Sequence, residues 1–551
     1  MKYQGPLAIA LLASLGCLAS SSPSPPVKNL PPKAQKAQPA ETRSAEARPA
    51  ETSLGAPADF AVEEATIAQI HRAMEAGRLT ARQLVELYLA RIEAYDKQGP
   101  AINSLITLNP RALQRADELD AAYRRSGFVG PLHGIPMIVK DNYDTADLPT
   151  TAGSLSLTGS LPPDDAFQVR RIRQAGAIVL AKSNMAEFAF SPYHTVGSAL
   201  PGHTLNPYAL NRVPAGSSGG TGAAVAASFG TVGLGTDTGN SIRGPSSHNA
   251  LVGIRSTLGL TSRDGIAPLY LDRDIGGPMA RTVEDAARIL EVIAGTDPAD
   301  PWTASGDLHK ATSYTQFLAP KGLQGARIGV LRQVSNKETA DPEVLERFNE
   351  ALEALRGAGA EVLDPVVIPE QDEIPSGERW CPRFKADFED YLASLGPTVP
   401  VKNLKEILAS GDFHPLVQGN LEYFEGISEG PDTHPECIRA RANQEKLRAG
   451  VRRVLAAHRL DAFVFPTWGN PPRLIGDLNT PHNDNSQDLS PHTGFPALTV
   501  PMGYVRGDLP VGLQMLGDAW SEPTLIRLAY AFEQATRHRK APSTVPPLGN
   551  E

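Results

Sequence analysis

An α/β fold is predicted by three features of the chain: amphipathic helical stretches alternate with short apolar runs from Phe60 onward, capping signals mark the helix starts, and no internal repeat or second low-complexity linker interrupts the alternation. Thr80 and Gln83 form a capping box ahead of the periodic run LVELYLARIEAY. Asn109 and Pro110 supply a cap and a first-turn proline for a helix expected to stop near Gly127. Residues 135–139, 177–181, 327–331, 461–465, 497–502 and 511–516 are apolar runs of strand length with the composition of buried strands. The stretches 282–294, 342–355, 440–457 and 522–536 carry the helical period. Residues 60–542 are read as one domain and 543–551 as a tail. The irregular segment from about Lys337 to Pro435, richer in proline and aromatics, is expected to be an insertion that covers a site.

Composition narrows the functional classes. The chain has 551 residues and a net charge of −9, which argues against a nucleic-acid partner, since that would favour a basic face. No segment has the roughly 18 consecutive apolar residues needed to span a bilayer. Residues 1–19 have the form of a secretory signal, with Lys2 ahead of the apolar stretch PLAIALLASLGCLA. Two readings of its end stand. Leu15-Gly16-Cys17 resembles the lipobox of bacterial lipoproteins, which would make lipidated Cys17 the first mature residue and the only membrane attachment; alternatively cleavage falls near residues 19–21 and Cys17 is discarded. Either way the protein is expected to be exported, as a periplasmic or cell-envelope lipoprotein or as a secreted protein. Residues 20–59 are dominated by Pro, Ala, Ser and mixed charge and read as a disordered tether. Cys381 and Cys437 either pair or stand as two buried thiols, and neither lies in a metal-binding spacing.

Three segments carry chemistry. In GIPMIVKDN (134–142), Lys140 closes an apolar strand, where an ammonium must be solvated, paired, or neutralised by a depressed pKa. In GSSGGTGAAVA (216–226), adjacent glycines let backbone N–H groups approach a ligand, and small residues suit a tightly packed helix. In GTDTGNSIRGP (235–245), the backbone around Ser241 is sparsely shielded, so the N–H groups of Thr238, Gly239, Asn240 and Ser241 can point at one oxyanion. Each segment alone is equally well read as a strand end or a turn. In this order they resemble the amidase signature family, and the resemblance runs from about Thr66 to Pro542. It includes AKSNMAEF (181–188), GPMARTVED (277–285) and TGFPALTVP (493–501).

That resemblance implies a single α/β/α domain with a mixed sheet flanked by helices, and hydrolysis of a linear carboxylic amide without cofactor or metal. By position, Ser241 matches the family's nucleophile, Ser217 its cis-serine and Lys140 its lysine. Ser218, Asp237 and Arg243 are expected to support the site, with Arg243 pairing to Asp237. A lysine base needs its pKa of about 10.4 lowered by burial, so the rate should rise toward alkaline pH. The substrate is expected to be a small-molecule or peptide amide; oligomeric state is left open. Esterase or fatty-acid-amide hydrolysis on the same residues, and a non-catalytic anchored binding protein, are the alternatives.

The chain departs from the family where Asn240 replaces the usual glycine, a substitution the left-handed region tolerates. SSHNA (246–250) and IRST (254–257) also differ from the usual pattern and are expected to alter the pocket wall. GSSGG (216–220) satisfies the nucleophile-elbow pattern with Ser218 at its centre, but no apolar strand leads into it, although His458 or His492 could serve as a partner. GAIVLAKS (176–183) approaches a phosphate-binding loop, yet its apolar middle reads as a strand.

Overall fold

A computed structural model describes residues 60–549; the expected signal segment with Cys17 and the expected tether lie outside the described residues. Its centre is an 11-stranded sheet ordered β1-β3-β2-β4-β6-β5-β10-β11-β9-β7-β8. The strands are β1 (Leu105–Leu108), β2 (Pro136–Lys140), β3 (Ile178–Ser183), β4 (Val232–Asp237), β5 (Val252–Arg255), β6 (Ile275–Ala280), β7 (Arg327–Val330), β8 (Glu361–Leu363), β9 (Ala462–Pro466), β10 (Ala497–Val505) and β11 (Leu509–Leu516). β2 runs parallel to both β3 and β4, and β7 runs parallel to β8 and β9. The middle strands β4, β6, β5, β10, β11 and β9 are successively antiparallel. The sheet is mixed, as expected.

Strand periodicity shows that both faces are covered. Along β9, Ala462 and Val464 join the main apolar cluster, whereas Phe463 and Phe465 turn to a second cluster built on Leu447, Val451 and Leu455. The main cluster draws on helices Ala81–Tyr95, Val283–Ile293, Pro342–Gly357 and Glu522–Thr536; the second rests on the long helix Pro435–His458. This is the α/β/α sandwich. The capping box at Thr80 and Gln83 is present, and Asn109 Oδ1 accepts from Arg111 N at 2.9 Å just before the helix Ala112–Ser126.

Two segments differ from expectation. Residues 337–435 are not one insertion: Pro342–Gly357 packs on the sheet, and only the later helices, Phe384–Ser394, Leu404–Ser410 and Gln418–Glu425, build a separate apolar cluster, which includes Phe188 and Ala267. Packing also continues beyond Pro542, because Val545 is buried and Arg91 donates to the carbonyl oxygens of Val545 and Pro546 at 2.9 and 3.0 Å. Cys381 and Cys437 form a disulfide.

Candidate active site

The neighbouring parallel strands β2 and β4 end side by side, with Val139 opposite Leu234, and the side chains of interest follow their C-terminal ends. Lys140, the last residue of β2, has no exposed surface. Its Nζ lies 2.7 Å from Ser217 Oγ and 2.6 Å from Thr236 Oγ1. Asn142 Nδ2 donates to the same threonine oxygen at 3.1 Å. Among the described residues no carboxylate pairs with Lys140. Burial brings its pKa down to about 7, opposed only by the charges of Asp274 and Asp237.

Ser217 follows a cis Gly216–Ser217 peptide and is fully buried. Gly216 is wedged between the carbonyls of Ser191 and His194, where a side chain would collide with both, and its N–H donates to Pro192 O at 2.8 Å. Ser218 points elsewhere. Its hydroxyl bonds the backbone of Thr236, donating to the carbonyl at 3.1 Å and accepting from the N–H at 3.3 Å, and so ties the serine loop to the end of β4. His458 is exposed at a helix end and His492 packs against Trp380, so neither is hydrogen bonded to Ser218 as an elbow would require.

The turn after β4 is built around Asp237. Its carboxylate accepts from Ile242 N at 3.2 Å, Arg243 Nε at 3.0 Å and Arg255 Nη1 at 3.1 Å. Burial works to raise its pKa, yet Arg243 and Arg255 hold it below the usual carboxylate range. The backbone carbonyls of the turn are tied on one side. Arg255 donates to Asp237 O, Arg243 Nη2 donates to Gly239 O at 2.6 Å, and Gly244 N donates to Asn240 O at 2.7 Å. In a trans peptide the N–H points opposite the carbonyl, so the N–H groups of Thr238, Asn240 and Ser241 are turned away from those anchors. None of these three, nor Gly239 N–H, is hydrogen bonded among the described residues. The arrangement suits an anion better than a neutral ligand.

Ser241 is 5 % exposed, and its hydroxyl donates to Asn240 Oδ1 at 3.3 Å. The structure therefore connects Lys140 with Ser217 directly and leaves the Ser241 hydroxyl on Asn240. Arg243 pairs with Asp237 as expected.

Several contributors were not read from the sequence. Thr236 and Asn142 lie inside two of the quoted motifs, but their partnership with Lys140 is a through-space contact. Arg255 belongs to a segment expected to shape the pocket wall; instead it is fully buried behind the turn and holds Asp237. Asp274 accepts the Thr238 hydroxyl, and burial raises its pKa to about 6. A small cavity lined by Asn142, Thr236, Thr238 and Asp274 abuts these groups. Lys182, also fully buried, pairs with Asp141 at 3.3 Å.

A family model described as amidase matches residues 83–526. The chain belongs to the amidase family. It is 34% identical over 504 residues to a protein of Arabidopsis thaliana named as a probable amidase, covering 88% of this chain and 93% of that one. It is 33% identical over 514 residues to one subunit of the glutamyl-tRNA(Gln) amidotransferase of a Synechococcus strain, covering 88% and 94%. Among solved structures, the native peptide amidase of Stenotrophomonas maltophilia superposes with a TM-score of 0.80 at 40% identity, covering 88% of this chain and 99% of that one. The amidase fold and the hydrolysis of amide C–N bonds are thereby established for this chain.

Proposed function

We propose that this amidase cleaves linear carboxylic amides through an acyl-enzyme on Ser241, with Ser217 and Lys140 as the proton relay. The observation that carries the proposal is the placement of Lys140: a buried amine with two hydroxyl partners and no carboxylate, its pKa brought near neutrality. Neutral Lys140 accepts the Ser217 proton while Ser217 takes the proton of Ser241, whose hydroxyl exchanges Asn240 for Ser217 in that step. The Ser241 Oγ–carbon bond forms, and the oxyanion is met by the N–H groups of Thr238, Gly239, Asn240 and Ser241. Collapse breaks the C–N bond, the proton returns through Ser217 to the leaving nitrogen, and water releases the acid.

Peptide amides are the favoured substrate class, supported by the likeness to a peptide amidase. Export fits the Cys381–Cys437 disulfide, a bond that persists in oxidising compartments. An export route also separates this chain from the cytosolic partners that a component of an amidotransferase would need. The test is an amide panel assayed by ammonia release, together with a serine-hydrolase probe. Ser241→Ala should abolish both ammonia release and labelling, whereas a protein labelled equally at Ser218 would overturn the assignment.

A further inference from the structure

We infer that Asn240 and Trp468 form a hydrogen-bonding subsite for a second substrate oxygen, a neutral carbonyl a few bonds from the scissile amide. The inference rests on the reading of Ser241 as nucleophile and adds a selection rule to it: amides whose acyl part carries an internal carbonyl, as a peptide backbone does, are preferred to plain alkyl amides.

Asn240 and Trp468 are 1 % and 3 % exposed. The Nδ2 of the first and the Nε1 of the second are buried donors with no partner among the described residues. Such donors are expensive to leave unmade and are characteristically satisfied by a ligand or water. They converge. A Cβ built on Gly244 would lie 2.6 Å from Asn240 Nδ2 and 2.8 Å from Trp468 Nε1, so only glycine at that position lets both approach. The other end of the same carboxamide accepts from Ser241 Oγ at 3.3 Å, which places the donor pair beside the nucleophile.

The walls around the pair are aromatic. Trp468 packs against His248 with ring centroids 4.7 Å apart and faces His482 at 5.8 Å and Tyr193 at 6.2 Å. Tyr193 belongs to the loop whose Pro192 holds Gly216, next to Ser217. Burial lowers the pKa of both His248 and His482, to about 3 and about 4, so both rings are neutral at pH 7. The carboxylate of Asp484 is already engaged by Ser486 and Gln487. Arg473 lies 5.2 Å from the Tyr193 ring centroid at the edge of this setting, and two neutral donors among aromatic rings match a neutral carbonyl oxygen.

The experiment compares kcat/KM for ammonia release from N-acetylglycinamide and from pentanamide, two neutral amides of equal chain length, only the first of which has an internal carbonyl. The wild-type ratio should favour N-acetylglycinamide by about tenfold or more, and Trp468→Phe and Asn240→Gly should each reduce that ratio by about tenfold. The ratio is the readout because the Asn240 backbone also belongs to the turn. Equal wild-type rates on the two amides overturn the subsite without recourse to any variant, and so does an unchanged ratio in the two variants. If Ser241→Ala keeps the ammonia release, the reading of Ser241 falls and takes the subsite with it.

Discussion

Lys140 and Lys182 stand on neighbouring strands, both without exposed surface, and their surroundings assign them different work. Lys182 Nζ meets the Asp141 carboxylate at 3.3 Å and donates to Tyr143 O at 2.7 Å, Thr150 Oγ1 at 2.9 Å and Pro149 O at 3.2 Å. It is a strut for the loop after β2. Lys182→Met should cost about 3–5 kcal/mol in denaturant unfolding, because it leaves the buried Asp141 carboxylate without its ion-pair partner. Among the described residues Lys140 has only hydroxyl partners, and its pKa of about 7 lies below the 10.5 of an ordinary lysine. Two consequences follow from that depression. The rate should rise with pH, reaching half its full value near pH 7 as the amine loses its proton. Stability should also rise between about pH 7 and 10.5, where the unfolded chain still binds a proton that the folded one has released. Lys140→Met removes both dependences: activity falls by about a thousandfold or more, while the melting temperature at pH 7 does not fall. A variant that keeps the wild-type pH–rate curve would show that another group is the base.

Among the elements, the turn that closes β4 depends on what packs behind it. Asp274, at the entrance to β6, accepts from the Thr238 hydroxyl and from Leu269 N and Tyr270 N at 2.7 and 2.9 Å. Its charge is also the larger of the two that oppose the lowering of the Lys140 pKa. Asp274→Asn keeps an acceptor for Thr238 but deletes that charge, so the midpoint of the pH–rate profile should move to lower pH; a shift to higher pH would show that Asp274 acts on the turn and not on the lysine. The sequence made half of this visible. β2, β3, β7, β9, β10 and β11 are apolar runs and could be read directly, as could the pairing of Arg243 with Asp237 six residues earlier. β4, β5 and β6, with the sequences VGLGTD, VGIR and IGGPMA, hold glycines in place of a branched apolar run, and that hides them from a periodicity reading. Thr236, Asn142, Arg255 and Asp274 reach Lys140 and the turn from different strands or their flanking loops. Contacts of that kind exist only once the sheet has formed.

At the scale of the whole molecule, the disulfide ties the segment leading into the helix Phe384–Ser394 to the helix that covers the second face of the sheet. Cys381 is linked to Cys437 across 56 residues, fastening the segment that follows the short 3-10 helix Ser376–Arg379 to the long helix Pro435–His458. From there the path to the turn of residues 238–241 is short. Arg273 donates to Arg379 O and lies 3.8 Å from the Trp380 ring centroid, Gln444 donates to the same carbonyl at 3.4 Å, and Arg273 precedes the Asp274 that holds Thr238. Closing a loop of this length restricts the unfolded chain by about 4 kcal/mol on the chain-entropy model, and measured effects of removing such bonds are commonly about 2–5 kcal/mol. The double variant Cys381→Ala/Cys437→Ala should therefore unfold at lower denaturant concentration by an amount in that range. Its effect on catalysis should be selective. The Lys140 surroundings contain nothing from residues 376–444, so the pH midpoint should stay where it is. The support that Arg379 and Trp380 give to Arg273, next to Asp274 and the Thr238 turn, is loosened, so kcat/KM should fall. A shifted pH midpoint would mean that the disulfide reaches the relay itself, through Arg273 and Asp274, and that the helical segment is part of the machinery that sets the charge of the base.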